Sequence, residues 1–168
     1  MKLAADKWWI ADEQTERKEI LDRYKDLVRT CANNITKEDS KLIQRAFKTA
    51  AEAHREMRRK SGEPYIFHPI AVAKIVAAEI GLGGTSIVAA LLHDVVEDTE
   101  ITLEDIERDF GAKVAGIIDG LTKISTIFDV QGSIQAENVR KILLTMARDV
   151  RVILIKIADR LHNMRTMD

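Results

Sequence analysis

Cysteine, proline, glycine and aromatic residues are all scarce in this chain. With Cys31 alone among 168 residues no intrachain disulfide can form, and a reducing, cytoplasmic setting is the simplest expectation. Two prolines and eight glycines leave long stretches with no turn or breaker signal. Neither sign of charge is in excess, since 26 Lys and Arg face 27 Asp and Glu for a net charge of −1. That balance excludes bulk electrostatic capture of nucleic acid or anionic lipid, so a polyanionic ligand has to be met by a local cluster. The longest apolar run, Ile87 to Leu92, falls far short of the ~20 residues that a membrane span needs. With acidic residues close to Trp8 and Trp9, no signal peptide is expected in this stretch. What remains, 46% apolar and 32% charged, is the composition of one globular domain. Roughly two-thirds of the unfolded surface is buried at this size, enough for a core without disulfide or metal staples.

Apolar residues recur at three- and four-residue intervals nearly throughout, which predicts an all-helical fold. Ile20, Leu21, Tyr24, Leu27, Val28 and Cys31 form one stripe. Leu42, Ile43, Ala46, Phe47, Ala50 and Met57 form a second, with Thr36 and Asp39 as its start signal. A helix is predicted from Pro69 to Gly81, and another from Thr85 or Ser86 to Thr99. Thr102 and Asp105 are placed to cap a short helix that stops at Gly111, and the helix after it is expected to end around Leu121. Ser125 to Ser133, with little periodicity, reads as a loop. Val139, Ile142, Leu143 and Met146 mark an amphipathic helix. Arg151 to Ile157 alternates as a strand would, but Ala158, Leu161 and Met164 extend the pattern to a helix. A polar helical face runs up to Asp168 without a stop signal, as in a piece of a longer protein.

The densest chemistry is His93-Asp94-Val95-Val96-Glu97-Asp98, directly after the six apolar residues. On one continuous helix His93 and Glu97, and Asp94 and Asp98, stand one turn apart. Three carboxylates and an imidazole beside core positions cost several kcal/mol unless something neutralises them, and a divalent cation does so economically. The alternative is a solvated helix end. That explains Glu97 and Asp98 poorly, because acids oppose the dipole there, and it leaves His93-Asp94 unexplained. His54, on the stripe with Phe47 and Ala50, reads as a satisfied core histidine, and Arg55 as part of a solvated basic face.

Four strings, in order, resemble the hydrolase domain of the RelA/SpoT homologues, a branch of the HD superfamily of metal-dependent phosphohydrolases. They are Arg59-Lys60-Ser61-Gly62-Glu63-Pro64-Tyr65, His68-Pro69, His93 to Thr99, and Asp159-Arg160-Leu161-His162-Asn163-Met164-Arg165-Thr166. The likeness covers about residues 15–168 and implies a single multi-helix HD domain over 1–168, followed in the parent enzyme by synthetase and regulatory domains. It implies one divalent ion, manganese, on His68, His93, Asp94 and Asp159, a donor set that zinc or iron also fits. A residue before proline is biased away from helix, so His68 is expected at the mouth of the helix that Pro69 begins.

The same likeness makes Glu97 and Asp98 the acids that activate water, with support of His93 or an ion pair to Arg160 the alternative for Asp98. It makes Arg59, Lys60, Ser61, Asn163 and Thr166 the contacts to a guanine nucleotide alarmone, with an ordinary polar stripe the alternative for Thr166. Asp159, Asn163 and Thr166 do fall on one helical face. The implied activity is removal of the 3′-pyrophosphate from guanosine tetra- or pentaphosphate. Two rivals stand beside it: an HD phosphohydrolase of other nucleotide specificity, and a hydrolytically silent nucleotide-binding module.

Overall fold

The computed structural model describes residues 7–129 and 136–166, with residues 7–12, 126, 128 and 129 as backbone only. The chain order is α1 (Lys7–Cys31), α2 (Lys37–Ala53), α3 (Phe67–Lys74) and a π-helical continuation (Ile75–Ile80). Then come α4 (Gly84–Leu92), α5 (Val95–Asp98), α6 (Leu103–Phe110), α7 (Ala112–Asp129), α8 (Ala136–Arg148) and α9 (Val150–Thr166). Among the described residues extended pairing is limited to one bridge, Arg58 to Pro64, so the expected all-α class holds.

Local chemistry sets most boundaries. Thr36 with Asp39 and Thr102 with Asp105 form reciprocal capping boxes on α2 and α6, each hydroxyl accepting from the N3 amide while the Asp accepts from the cap amide. Gly81 ends the α3 continuation at φ 81° and Gly111 ends α6 at φ 93°, angles that a side chain disfavours. The core is built around α4, buried over most of its length and packed against α2, α3, α7 and α9. Two close approaches fix that packing: a Cβ at Gly84 would meet the Asp39 side chain, and one at Gly120 would lie 2.9 Å from a Val152 methyl. From the first two stripes Leu27, Cys31, Ile43, Ala46, Phe47 and Ala50 are buried as expected.

Several boundaries differ from expectation. Met57 lies beyond α2, which ends at Ala53 with His54 as its cap. The helix expected to close near Leu121 continues to Asp129, and within it the Thr122 hydroxyl donates to the Ile118 carbonyl at 3.0 Å. Ser125 to Asp129 is therefore helix, and the rest of the expected loop lies outside the described residues, as do the side chains of Trp8 and Trp9 and the terminal Asp168. α8 forms as predicted but turns Val139, Leu143 and Met146 to the surface. The largest difference is at the centre: the predicted Thr85–Thr99 helix breaks at His93-Asp94, where Asp94 adopts φ −98° and ψ −7°. His93 supplies both an amide and a ring nitrogen to the Ala90 carbonyl, which tightens the last turn of α4 and ends it.

Candidate metal centre

Three elements converge where α4 ends. His68 lies inside the first turn of α3, its amide bonded to the Tyr65 carbonyl at 3.0 Å, so the helix starts at Phe67 and the bias of a residue before proline is overridden. The break after α4 turns His93 and Asp94 toward it, and α9 brings Asp159 from the other side. His68 Nε2 is 2.8 Å from Asp159 Oδ1 and 3.7 Å from Asp94 Oδ2, while His93 Nε2 is 3.0 Å from Asp94 Oδ2 and 3.5 Å from Asp159 Oδ1. The donor atoms of His68, His93 and Asp94 all lie within 4.8 Å of one another. Separations of this order suit ligands that each stand ~2 Å from a shared ion.

His93 supplies the test of fit. Its Nδ1 donates to the Ala90 carbonyl at 2.6 Å, while Nε2 is buried without a hydrogen-bond partner, since Asp94 is near it but poorly aligned. A buried imidazole nitrogen without a hydrogen-bond partner, beside two carboxylates, has the chemistry of a metal ligand once it gives up its proton. Burial opposes charge on His93, but Asp94 and Asp159 outweigh it and raise its pKa well above the ordinary value. A proton and a cation therefore compete for Nε2, and cation affinity falls as pH falls. Asp94 and Asp159 are held far below the ordinary carboxylate range: burial resists, but His93 with Tyr65 for the one, and His68 and His93 with Lys156 for the other, favour the ionised forms.

Around this centre stand residues to which sequence reasoning gave no role. Tyr65 donates its hydroxyl to Asp94 Oδ2 at 2.7 Å. Lys156, buried, donates to Asp159 Oδ2 at 3.0 Å; the signal available was a lysine inside an apolar run three residues before the aspartate. His162 Nδ1 lies 2.7 Å from His68 Nδ1, and burial together with His68 and Arg59 lowers its pKa to about 4, so it faces His68 as a neutral imidazole. When His68 gives Nε2 to a ligand its proton sits on Nδ1, and His162 is the acceptor that fixes that tautomer and ring plane. His162→Phe is expected to weaken cation binding about 10–100-fold, read by calorimetric titration of the metal-free chain. Unchanged affinity contradicts that role.

The remaining predicted residues divide. Arg59 donates to Asn163 Oδ1 at 3.1 Å and Thr166 Oγ1 at 3.3 Å, so three of the five expected nucleotide contacts form one group running along α9 to Asp159. Lys60 and Ser61 are exposed on the adjoining turn, which Gly62 closes at φ 89°. Glu97 accepts from Ser125 on α7 at 2.9 Å, and Asp98 Oδ2 is 3.7 Å from His54 Nε2. α4 ends before them, and the two acids close a separate short turn, α5, in which the Asp98 amide donates to the Asp94 carbonyl at 2.9 Å, so Asp94 and Asp98 keep the one-turn spacing expected of them. Arg55 is exposed near Glu13 and Glu52, the solvated face expected of it.

An all-α bundle whose centre joins a His-Asp pair to a distant His and a distant Asp is a helical fold built around a candidate site for a divalent cation. The chain belongs to the HD domain family, whose model matches residues 46–168. It is 53% identical over 125 residues to a GTP pyrophosphokinase of Streptomyces coelicolor, covering 74% of this chain and 14% of that protein. It is 52% identical over 119 residues to a guanosine-3′,5′-bis(diphosphate) 3′-pyrophosphohydrolase of Haemophilus influenzae, covering 70% and 17%. To the bifunctional (p)ppGpp synthase/hydrolase SpoT of Escherichia coli it is 49% identical over 128 residues, covering 76% and 18%. The chain thus spans less than a fifth of the length of these relatives. A solved structure described as a metazoan ortholog of SpoT that hydrolyses ppGpp is similar at TM-score 0.58 and 35% identity, over 74% of this chain and 68% of that one.

Proposed function

We propose that this chain removes pyrophosphate from the ribose 3′ position of guanosine tetraphosphate or pentaphosphate, leaving GDP or GTP, with one manganese ion held by His68, His93, Asp94 and Asp159. The observation that carries the reading is the convergence of these four side chains beside an arginine already ordered by Asn163 and Thr166. The names of relatives near 50% identity support the substrate. The relatives' greater length supports reading this chain as one HD unit of an enzyme with synthetase and regulatory domains elsewhere, and a cytoplasmic setting is part of the same reading. No helix among the described residues is long and apolar enough to cross a membrane.

Bound at the four residues, a divalent cation supplies positive charge to the reacting phosphate and acidifies water. The chain's own groups do the rest. Arg59, with a side chain 17% exposed and its guanidinium fixed by two acceptors, offers a flat cation on which a base stacks. Lys60 and Ser61, exposed beside it, meet phosphate, and Asn163 and Thr166 meet the sugar and phosphate. Glu97 and Asp98 orient the attacking water and accept its proton. With base and centre held by one rigid group, the span from guanine to the centre selects a 3′-diphosphate. A 5′ chain has to enter with the base reversed, which leaves polar groups unpaired.

Product analysis with guanosine tetraphosphate, GTP and ATP at equal concentration tests this reading. The expected result is cleavage of the first and near-inertness of the others, and Arg59→Ala is expected to raise KM more than it lowers kcat. Comparable cleavage of GTP overturns the alarmone assignment.

A further inference from the structure

His54 departs from the satisfied core histidine expected of it. Its ring is buried, 2% exposed, and its Nδ1 lies 3.0 Å from the Ala50 carbonyl, which can only accept, so Nδ1 carries a proton. Nε2 is left buried with no hydrogen-bond partner. Buried nitrogens without partners are rare, and this one points out of the core at an acid: Asp98 Oδ2 is 3.7 Å away, on a side chain 30% exposed. The ring is held by its Nδ1 bond to Ala50 and by a tilted contact with Tyr65, centroids 4.7 Å apart, and Tyr65 is itself tied to Asp94. A neutral imidazole in this tautomer and an ionised carboxylate are two acceptors face to face. The contact becomes a hydrogen bond when one proton lies between Nε2 and Oδ2 and the 3.7 Å gap closes.

We propose that His54 is a positioning residue for Asp98, its Nε2 accepting the hydrogen bond of the protonated carboxyl during turnover. This rests on the hydrolytic reading above. As water adds to phosphorus its O–H bond breaks and the proton goes to Asp98, while the new P–O bond forms. The bond from phosphorus to the ribose 3′ oxygen then breaks, its electron pair stays on that oxygen, and the proton held at Asp98 goes to it. Between those events the carboxyl proton is aimed at Nε2, which keeps Asp98 in place and completes the one bond the buried ring lacks in the resting protein. Glu97 faces a hydroxyl instead, that of Ser125 at 2.9 Å.

Two measurements decide the matter. His54→Phe keeps a ring against Tyr65 and removes both nitrogens. It is expected to bind manganese and guanosine tetraphosphate as the parent does, with KM unchanged and kcat about 10–100-fold lower, and His54→Gln, whose amide oxygen can accept from Asp98, recovers part of the loss. Unchanged kcat, or a loss of metal or of KM that matches the loss of kcat, overturns the proposal. The second measurement is independent of substrate: nitrogen NMR of the metal-free chain labelled at histidine, in mildly alkaline buffer, with His54 assigned by its absence from the His54→Phe spectrum. Nδ1 is expected to resonate as protonated and Nε2 as bare, and Asp98→Asn, which brings an amide donor, shifts Nε2 toward the hydrogen-bonded position. The opposite tautomer, or an Nε2 blind to Asp98→Asn, overturns the pairing. If the parent chain leaves guanosine tetraphosphate intact, the functional reading fails, and the spectra still decide the role of His54.

Discussion

Asp159→Asn is expected to abolish both cation binding and hydrolysis, the largest effect of any single change in this chain. Asp159 stands 2.8 and 3.5 Å from the two imidazole nitrogens and, among the described residues, is the carboxylate that meets both a histidine and a buried lysine. The amide removes a negative charge from the centre and leaves Lys156, 8% exposed, without its anionic partner. Stranding a buried charge costs about 3–5 kcal/mol, so the variant is also expected to melt at lower temperature. The double variant Asp159→Asn, Lys156→Met removes the stranded ammonium and is expected to regain most of the stability but none of the cation affinity. Thermal melts with calorimetric metal titration separate the two effects. Retention of tight metal binding in the double variant contradicts the assignment of Asp159 as a ligand.

Glu97→Gln is expected to leave fold and metal content unchanged while lowering turnover by about 10²- to 10⁴-fold, because an amide keeps the shape of the carboxylate but accepts no proton. The side chain is exposed and its contact is the Ser125 hydroxyl, so little stability depends on it. Steady-state rates beside metal analysis of the same preparation check this. If the variant emerges without metal, Glu97 is a ligand and the division of roles between it and Asp94 is wrong.

The parts of the molecule legible in the sequence were those that local rules determine. The two capping boxes, the glycine stops at Gly81 and Gly111 and the buried stripes of α1 and α2 follow from side chains three or four positions apart. The four residues of the centre were legible as a resemblance, and their convergence is a tertiary fact. Three elements remote in the chain bring them together, and the break that aims His93 and Asp94 comes from His93 engaging the Ala90 carbonyl, which apolar periodicity does not encode. Ser125 looked like loop because apolar periodicity fades from there to Ser133, whereas α7 carries on to Asp129. Tyr65, Lys156 and His162 gained roles only from distance: each is separated from its partner by a fold contact or hidden in an apolar run. His54 was placed in the core correctly but its Nε2 was not foreseen as unpartnered, because a helical stripe reports which residues are inside and is silent on whether their polar atoms have partners.

The central claim, that this centre cleaves the bond to the ribose 3′ oxygen, is tested most directly by phosphorus NMR of the purified chain with guanosine tetraphosphate and manganese. The account predicts inorganic pyrophosphate and GDP in equal amounts, appearing only with the metal. Release of single phosphates, or loss of the 5′-diphosphate with the 3′ group intact, contradicts it.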